Sequence, residues 1–273
     1  MVGIIGWPVS HSLSPAIHNA AFAAMEMDWT YVPLPVAPGT VEAALAGIAA
    51  LGLVGANVTM PHKTEIASRL SDLTDDAERL QAVNTIEVSG DVLIGHNTDA
   101  PGFDRFLRED AGCDPSGTTA LIYGAGGAAR ACALALARSG VARLTVAVRD
   151  AARAQALTGA LEGLSTPIEV IGFEAAEGWR GDLVIDATPI GADGVGVPPE
   201  PAYAPGMLVV DLKYHPLVTP LQANARAAGA AAFGGLGLLL HQAGLSFEIW
   251  SGRPAPLDVM SAAAIAAIGD SRS

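Results

Sequence analysis

The chain has 273 residues, 51% of them hydrophobic and 16% charged, a composition that excludes a disordered polymer and suits two globular domains, each with its own core. Fifteen basic residues against 28 acidic ones leave a formal net charge of −13, so a nucleic-acid partner is not expected and an anionic ligand must be held by locally placed donors. The longest uncharged apolar run, residues 43–56, is shorter than the ~20 residues of a membrane span and is broken by Gly47, Gly52 and Gly55, so no membrane partner is expected either.

Residues 2–6 read as a strand with no basic leader or cleavage site before it, which predicts a cytoplasmic protein. The strand runs into G-W-P-V-S-H-S-L-S-P, a polar loop ending on a helix start, with Ser14 as N-cap and Pro15 in the first turn. Ile17, Ala20, Ala21, Ala24 and Met25 give that helix one apolar face. Residues 29–34 alternate as a strand, Thr40 caps a helix through Ala50, and residues 55–59 (G-A-N-V-T) form a third strand that stops at Pro61. Alternating strands and helices predict an α/β fold with a parallel sheet, and Lys63 then lies at the carboxyl end of a strand, where such sheets bind ligands. Residues 85–88 and 92–95 flank S-G-D as a hairpin. Asp99, in H-N-T-D, precedes a helix of about ten residues that leads to a boundary loop, residues 112–117.

The central stretch, T-A-L-I-Y-G-A-G-G-A-A-R-A-C-A-L-A-L-A-R from Thr119 to Arg138, reads as strand, glycine turn and alanine-rich helix. Gly124, Gly126 and Ala129 give the spacing G-x-G-x-x-A, which lets backbone N–H groups and a helix dipole approach a pyrophosphate; the same glycines also suit a purely steric tight turn. A second strand at residues 143–148 completes a βαβ unit, which favours the dinucleotide. Beyond it we expect a helix at 151–161, strands at 168–172, 183–186 and 207–211, a mobile Gly/Pro-rich loop at 191–205, a helix at 219–228, a short strand at 230–234 and a helix at 236–250. Cys113 and Cys132 are too few for a disulfide framework, Cys132 being expected to pack on the helix after the glycine turn, and the six histidines lack ligand spacing, so no metal is expected.

Taken together, S-H-S-L-S-P, G-A-N-V-T-M-P-H-K, A-V-N-T, N-T-D, G-A-G-G-A-A-R, A-T-P-I-G, D-L-K-Y-H-P with T-P-L, and G-L-G-L-L-L-H-Q-A occur in the order and spacing of the shikimate dehydrogenase family, which the chain resembles over nearly its whole length. The resemblance implies a substrate domain of residues 1–101 and 236–273 around an inserted Rossmann domain of residues 102–235, with the active site in the cleft between them. It also implies NADP-dependent, reversible reduction of 3-dehydroshikimate to shikimate in aromatic amino-acid biosynthesis, by a monomer or homodimer. By motif, Ser12 and Ser14 would hold the substrate carboxylate, and Asn57, Thr59, Asn84, Tyr214 and Gln242 the ring hydroxyls. Lys63 and Asp99 would be the catalytic pair, either of which could carry the proton. Gly124, Ala125, Gly126, Gly127, Ala128, Arg149, Arg153, Thr188, Leu212 and Gly235 would hold NADP. Val148, Asp150 and Asp186 depart from the family's usual Asn, Thr and Asn, and Gln81 stands where Gly is usual; Ala192 and Leu238 replace frequent Met residues. The alternatives are an NAD-preferring quinate/shikimate dehydrogenase and a non-catalytic sensor of shikimate-like ligands and nucleotide; the presence of both Lys63 and Asp99 argues for an enzyme.

Overall fold

The computed structural model describes residues 1–270, which fall into two compact units: Met1–Thr98 with the segment from Leu240 onward, and Asp99–Leu239. In the first unit β1 (Val2–Gly6), α1 (Ser14–Ala24), β2 (Tyr31–Pro35), α2 (Val41–Ala50) and β3 (Gly55–Val58) alternate. They are followed by α3 (Lys63–Arg69), β4 (Asp72–Leu73), α4 (Asp75–Leu80) and the hairpin β5 (Thr85–Ser89) and β6 (Val92–His96). The sheet order is β2-β1-β3-β5-β6-β4. β1 pairs parallel with β2 and β3, but β5 runs antiparallel to β3 and β6, so this sheet is mixed where alternation alone predicts a parallel one. Ile5, Val41, Leu45, Ile48, Val58, Ile66 and Ile86 form its core.

Three local expectations are corrected here. Leu13 is already helical (φ −79°, ψ −13°), so Ser14 is the first residue of α1 rather than its cap; it is Ser12 whose hydroxyl accepts the Ser14 N–H, at 3.2 Å. The buried face of α1 is Ser14, Ile17, His18, Ala21 and Phe22, while Ala24 is exposed. Aromatic partners decide this: His18 stacks on Tyr31 at 4.5 Å and Phe22 on Phe247 at 5.7 Å, contacts that alanines could not make. Thr40 does precede α2, but its hydroxyl donates to Ala37 O and caps no helical N–H. Gln81, in the family's glycine position, ends α4 in the left-handed conformation (φ 48°), its side chain donating to Glu78 O at 2.7 Å.

The second unit opens with α5 (Asp99–Glu109), of which Asp99 is the first residue rather than a preceding one. β7 (Thr119–Tyr123), α6 (Gly127–Arg138), β8 (Arg143–Val148), α7 (Gln155–Ala160), β9 (Ile168–Gly172), β10 (Leu183–Asp186), β11 (Leu208–Asp211), α8 (Pro220–Ala227) and β12 (Ala231–Gly234) follow. Residues Ala151–Ala154, expected as α-helix, form a 3-10 turn, because the Asp150 carboxylate caps the Ala152 N–H at 3.0 Å and tightens the entry. The six strands are parallel in the order β12-β11-β10-β7-β8-β9, the doubly wound arrangement in which ligands bind at the carboxyl edge between the first and fourth strands, here β7 and β10. All eight buried residues of α6 are Ala, Cys or Leu, Cys132 among them, so the helix lies close on the sheet. The chain ends with α9 (Leu236–Ser251) and α10 (Leu257–Asp270), the latter packing on α1. Among the described residues no helix is long and apolar enough to cross a membrane, and no three or more His, Cys, Asp or Glu side chains are grouped so as to hold a metal ion.

Candidate active site

In the first unit the expected substrate residues converge on one buried hydrogen-bond network. The Tyr31 hydroxyl donates to Asn57 Oδ1 at 2.8 Å, while Ser14 hydrogen-bonds the phenol oxygen. Burial pushes the Tyr31 phenol far above its ordinary range, against the opposing Ser14 bond, so it stays a neutral donor. The Asn57 amide donates to Asn84 O, Thr85 Oγ1 and Ser246 Oγ at 3.0 to 3.1 Å. Asn57 is thereby committed within the protein and frames the others from behind. Asn84 Oδ1 accepts the Thr98 N–H at 2.8 Å, its amide donates to Thr98 Oγ1 at 2.9 Å, and Thr98 Oγ1 donates to Gln242 O at 3.1 Å. Ser12 and Gln242, both half-buried, join this frame through the Ser14 N–H and the Gln242 carbonyl, and Thr59 is half-buried just after β3.

Lys63 begins α3 and is half-buried. Its backbone is pinned on both sides: the Val83 N–H donates to Lys63 O at 3.0 Å, and the buried His62 ring bonds Val36 O at 2.7 Å. Tyr31, Thr85, Thr98, His18 and Ser246 escape the sequence reading. Thr98 lies inside N-T-D and Ser246 one turn after Gln242 on α9, so helical spacing could have found the latter.

In the second unit the expected cofactor residues gather along the carboxyl edge of the sheet. Gly124 (φ +97°) takes a conformation closed to other residues, and a Cβ there would come within 3.3 Å of Ala187 O, at the turn after β10. Gly126 and Gly127 face open space, α6 starts without a side-chain cap, and Gly126, Gly127 and Ala128 are exposed, so free N–H groups present themselves to a phosphate. Ala129, third in the motif, is fully buried against the sheet. This cradle fits a dinucleotide pyrophosphate. Arg149 and Arg153 are exposed after β8, with the Arg149 guanidinium 6.0 Å from the Phe173 ring centroid. Asp150, the residue that could oppose a 2′-phosphate, has its carboxylate turned to Ala152.

Thr188, Leu212 and Gly235 close the same edge. Thr188 N and Oγ1 donate to Asp186 Oδ1 at 2.9 and 2.7 Å, the Leu212 N–H donates to Asp186 O at 3.0 Å, and a Cβ on Gly235 would lie 1.9 Å from Leu212 O. Only glycine can stand at 235. Tyr214 is half-buried in the same loop, its phenol pushed up by burial.

Comparison with known proteins decides the family. Residues 4–86 match the shikimate dehydrogenase substrate binding domain and residues 235–265 the shikimate 5'-dehydrogenase C-terminal domain. The chain is 45% identical to the shikimate dehydrogenase (NADP(+)) of Moorella thermoacetica, over 99% of its own length and 94% of the relative's. The chain belongs to the shikimate dehydrogenase family. The Citrifermentans bemidjiense shikimate dehydrogenase (NADP(+)) is 44% identical over 96% of this chain and 93% of its own. Among solved structures, the Thermus thermophilus shikimate 5-dehydrogenase in complex with NADP(H) and shikimate superposes with a TM-score of 0.87 at 32% identity, covering 97% of this chain and 98% of that one. The Rossmann-type edge and the buried polar frame described above are thus those of a shikimate dehydrogenase family member.

Proposed function

We propose that the chain catalyses the reversible, NADP-dependent interconversion of 3-dehydroshikimate and shikimate, a step of aromatic amino-acid biosynthesis, in the cytoplasm. The observation that carries this reading is the single buried network that ties Ser14, Asn57, Asn84 and, through its backbone, Gln242, from four separate elements of the first unit, into one rigid frame. Such a frame presents neutral donors, which is how a protein of net charge −13 can accept a carboxylate without a basic patch. Ser12 and Ser14 take the carboxylate, and Thr59, Asn84, Tyr214 and Gln242 the ring hydroxyls; Asn57 acts by holding Tyr31, Thr85 and Ser246 in place.

Gly124, Ala125, Gly126, Gly127 and Ala128 seat the pyrophosphate, Arg149 and Arg153 the 2′-phosphate, and Thr188, Leu212 and Gly235 the nicotinamide half. When bound, NADP supplies or accepts the hydride. A secondary alcohol carbon that gives up hydride becomes a carbonyl only if the hydroxyl proton leaves too, and Lys63 and Asp99 are the residues we assign to that proton. The test is a spectrophotometric assay of the purified protein with shikimate and quinate, each crossed against NADP and NAD. Turnover of shikimate with NADP at the highest kcat/KM is expected; a preference for quinate or for NAD would overturn the assignment.

A further inference from the structure

Asp186 and Asp211 are the last residues of β10 and β11, and both are fully buried. The Lys213 ammonium stands between them, 2.7 Å from a carboxylate oxygen of each, and donates to Thr188 O at 3.0 Å. The two oxygens that the ammonium does not touch are also used, Asp186 Oδ1 by Thr188 and Asp211 Oδ2 by the Thr219 hydroxyl at 2.5 Å, while Asp211 Oδ1 accepts the Lys213 backbone N–H at 3.1 Å besides the ammonium. The cluster therefore ties together the turns that carry Thr188, Leu212 and Tyr214.

Holding those turns does not require the charges. An asparagine at 186 would still accept both Thr188 bonds through its Oδ1, losing only the bond that Oδ2 accepts from the Lys213 ammonium, and a buried ion cluster is commonly no more stabilising than apolar side chains of the same size. What the charges add is a sign. Two carboxylates against one ammonium leave one negative charge in excess at the carboxyl edge, where field is poorly screened, and among the described residues no second cation bonds to it. The nicotinamide ring is cationic when oxidised and neutral when reduced. We infer that the Asp186–Lys213–Asp211 cluster biases the cofactor site toward the oxidised dinucleotide, with Lys213 as the positioning residue that holds both carboxylates in place. This inference rests on the NADP reading above.

The test is isothermal titration calorimetry of the full-length protein with NADP+ and with NADPH, without substrate, for the wild type, Asp186→Asn, Asp211→Asn and Lys213→Met. Either asparagine variant, neutralising the cluster, should weaken NADP+ relative to NADPH by about three- to tenfold. Lys213→Met leaves two buried carboxylates facing each other, which take up one proton in place of the ammonium, so its ratio should stay near that of the wild type. A cluster that only holds the turns would change both dissociation constants together and leave their ratio alone. A ratio within twofold of wild type in an asparagine variant that retains the wild-type circular dichroism spectrum overturns the inference while leaving the NADP assignment intact. Wild-type protein that binds neither nucleotide overturns both.

Discussion

The Tyr31 hydroxyl donates to Asn57 Oδ1 at 2.8 Å inside the first unit, and this bond joins the side of the frame that carries Ser14 to the side that carries Asn84. Tyr31→Phe keeps the ring stacked on His18 but leaves Asn57 Oδ1 a buried acceptor without its donor, a loss of about 1–3 kcal/mol. We expect KM for shikimate to rise several-fold, KM for NADP to stay unchanged, and the urea midpoint to fall. Steady-state kinetics with each substrate varied in turn, together with urea unfolding, check this.

Ser12 and Ser14 should bind the substrate carboxylate. A hydrogen bond to a charged group contributes roughly 1.5–3 kcal/mol, so Ser14→Ala should raise KM for shikimate about tenfold or more. Unchanged KM in both single alanine variants would remove the serines from the carboxylate site.

Lys63→Ala should lower kcat by ~100-fold or more with little change in KM, the pattern of an interaction made mainly in the transition state. Asp99→Asn should lower kcat and raise KM, since we assign it a substrate hydroxyl as well. If Lys63→Ala raises KM alone, Lys63 binds rather than catalyses, and Asp99 or an ordered water takes the proton.

Arg149 and Arg153 should set the cofactor preference. Each charge-assisted contact to a 2′-phosphate is worth roughly 1.5–3 kcal/mol, so each alanine variant should lower kcat/KM for NADP by ~10-fold or more and spare NAD. Asp150→Ala should loosen the turn that it caps, at a cost of about 0.5–2 kcal/mol in stability, without transferring preference to NAD. Kinetics with both dinucleotides and thermal melts separate these effects.

His18 couples pH to stability. It is fully buried against Phe22, Tyr31 and Trp250, neither ring nitrogen has a hydrogen-bond partner among the described residues, and burial lowers its pKa from 6.5 to about 3. The unfolded chain takes up this proton below its ordinary pKa and the folded one does not. Its contribution is therefore complete above pH 6.5 and lost as pH falls toward 3, with a slope of at most about 1.4 kcal/mol per pH unit. His18→Phe should flatten the fall in urea midpoint between pH 7 and pH 5. An equal fall in both proteins would show that other groups dominate the acid side.

Much of this was legible before the fold was seen, and the exceptions share a cause. The glycine turn, the hairpin and the strands of the second unit announce themselves through backbone chemistry local to a few residues. The face of α1 does not, because Ser14 and His18 are polar and count against a hydrophobic stripe until Tyr31, Phe247 and Trp250 arrive from distant sequence to bury them. Lys213 is hidden for a similar reason: one lysine after a strand reads as solvated unless the carboxylates at the ends of β10 and β11 are known to flank it. Asp150 looks like a cofactor determinant in sequence and is a helix cap in space.

The first unit is discontinuous, since its sheet is complete by Thr98 whereas Leu240 and beyond return to it only after the whole second unit. Those late residues belong to its interior: the Trp250 indole donates to Ile86 O at 2.9 Å, and Gly55 has no side chain because a Cβ there would sit 2.3 Å from that indole nitrogen. On the ribosome, then, the N-terminal sheet emerges with an uncovered apolar face and a slot shaped for a tryptophan not yet made. At roughly 5–20 residues per second the wait for that tryptophan is on the order of ten seconds, during which the contiguous second unit can fold as it emerges. The nascent chain is thus exposed to chaperone capture through its first hundred or so residues, and a message truncated shortly before the codon for Trp250 would release a folded nucleotide-binding unit joined to an open sheet.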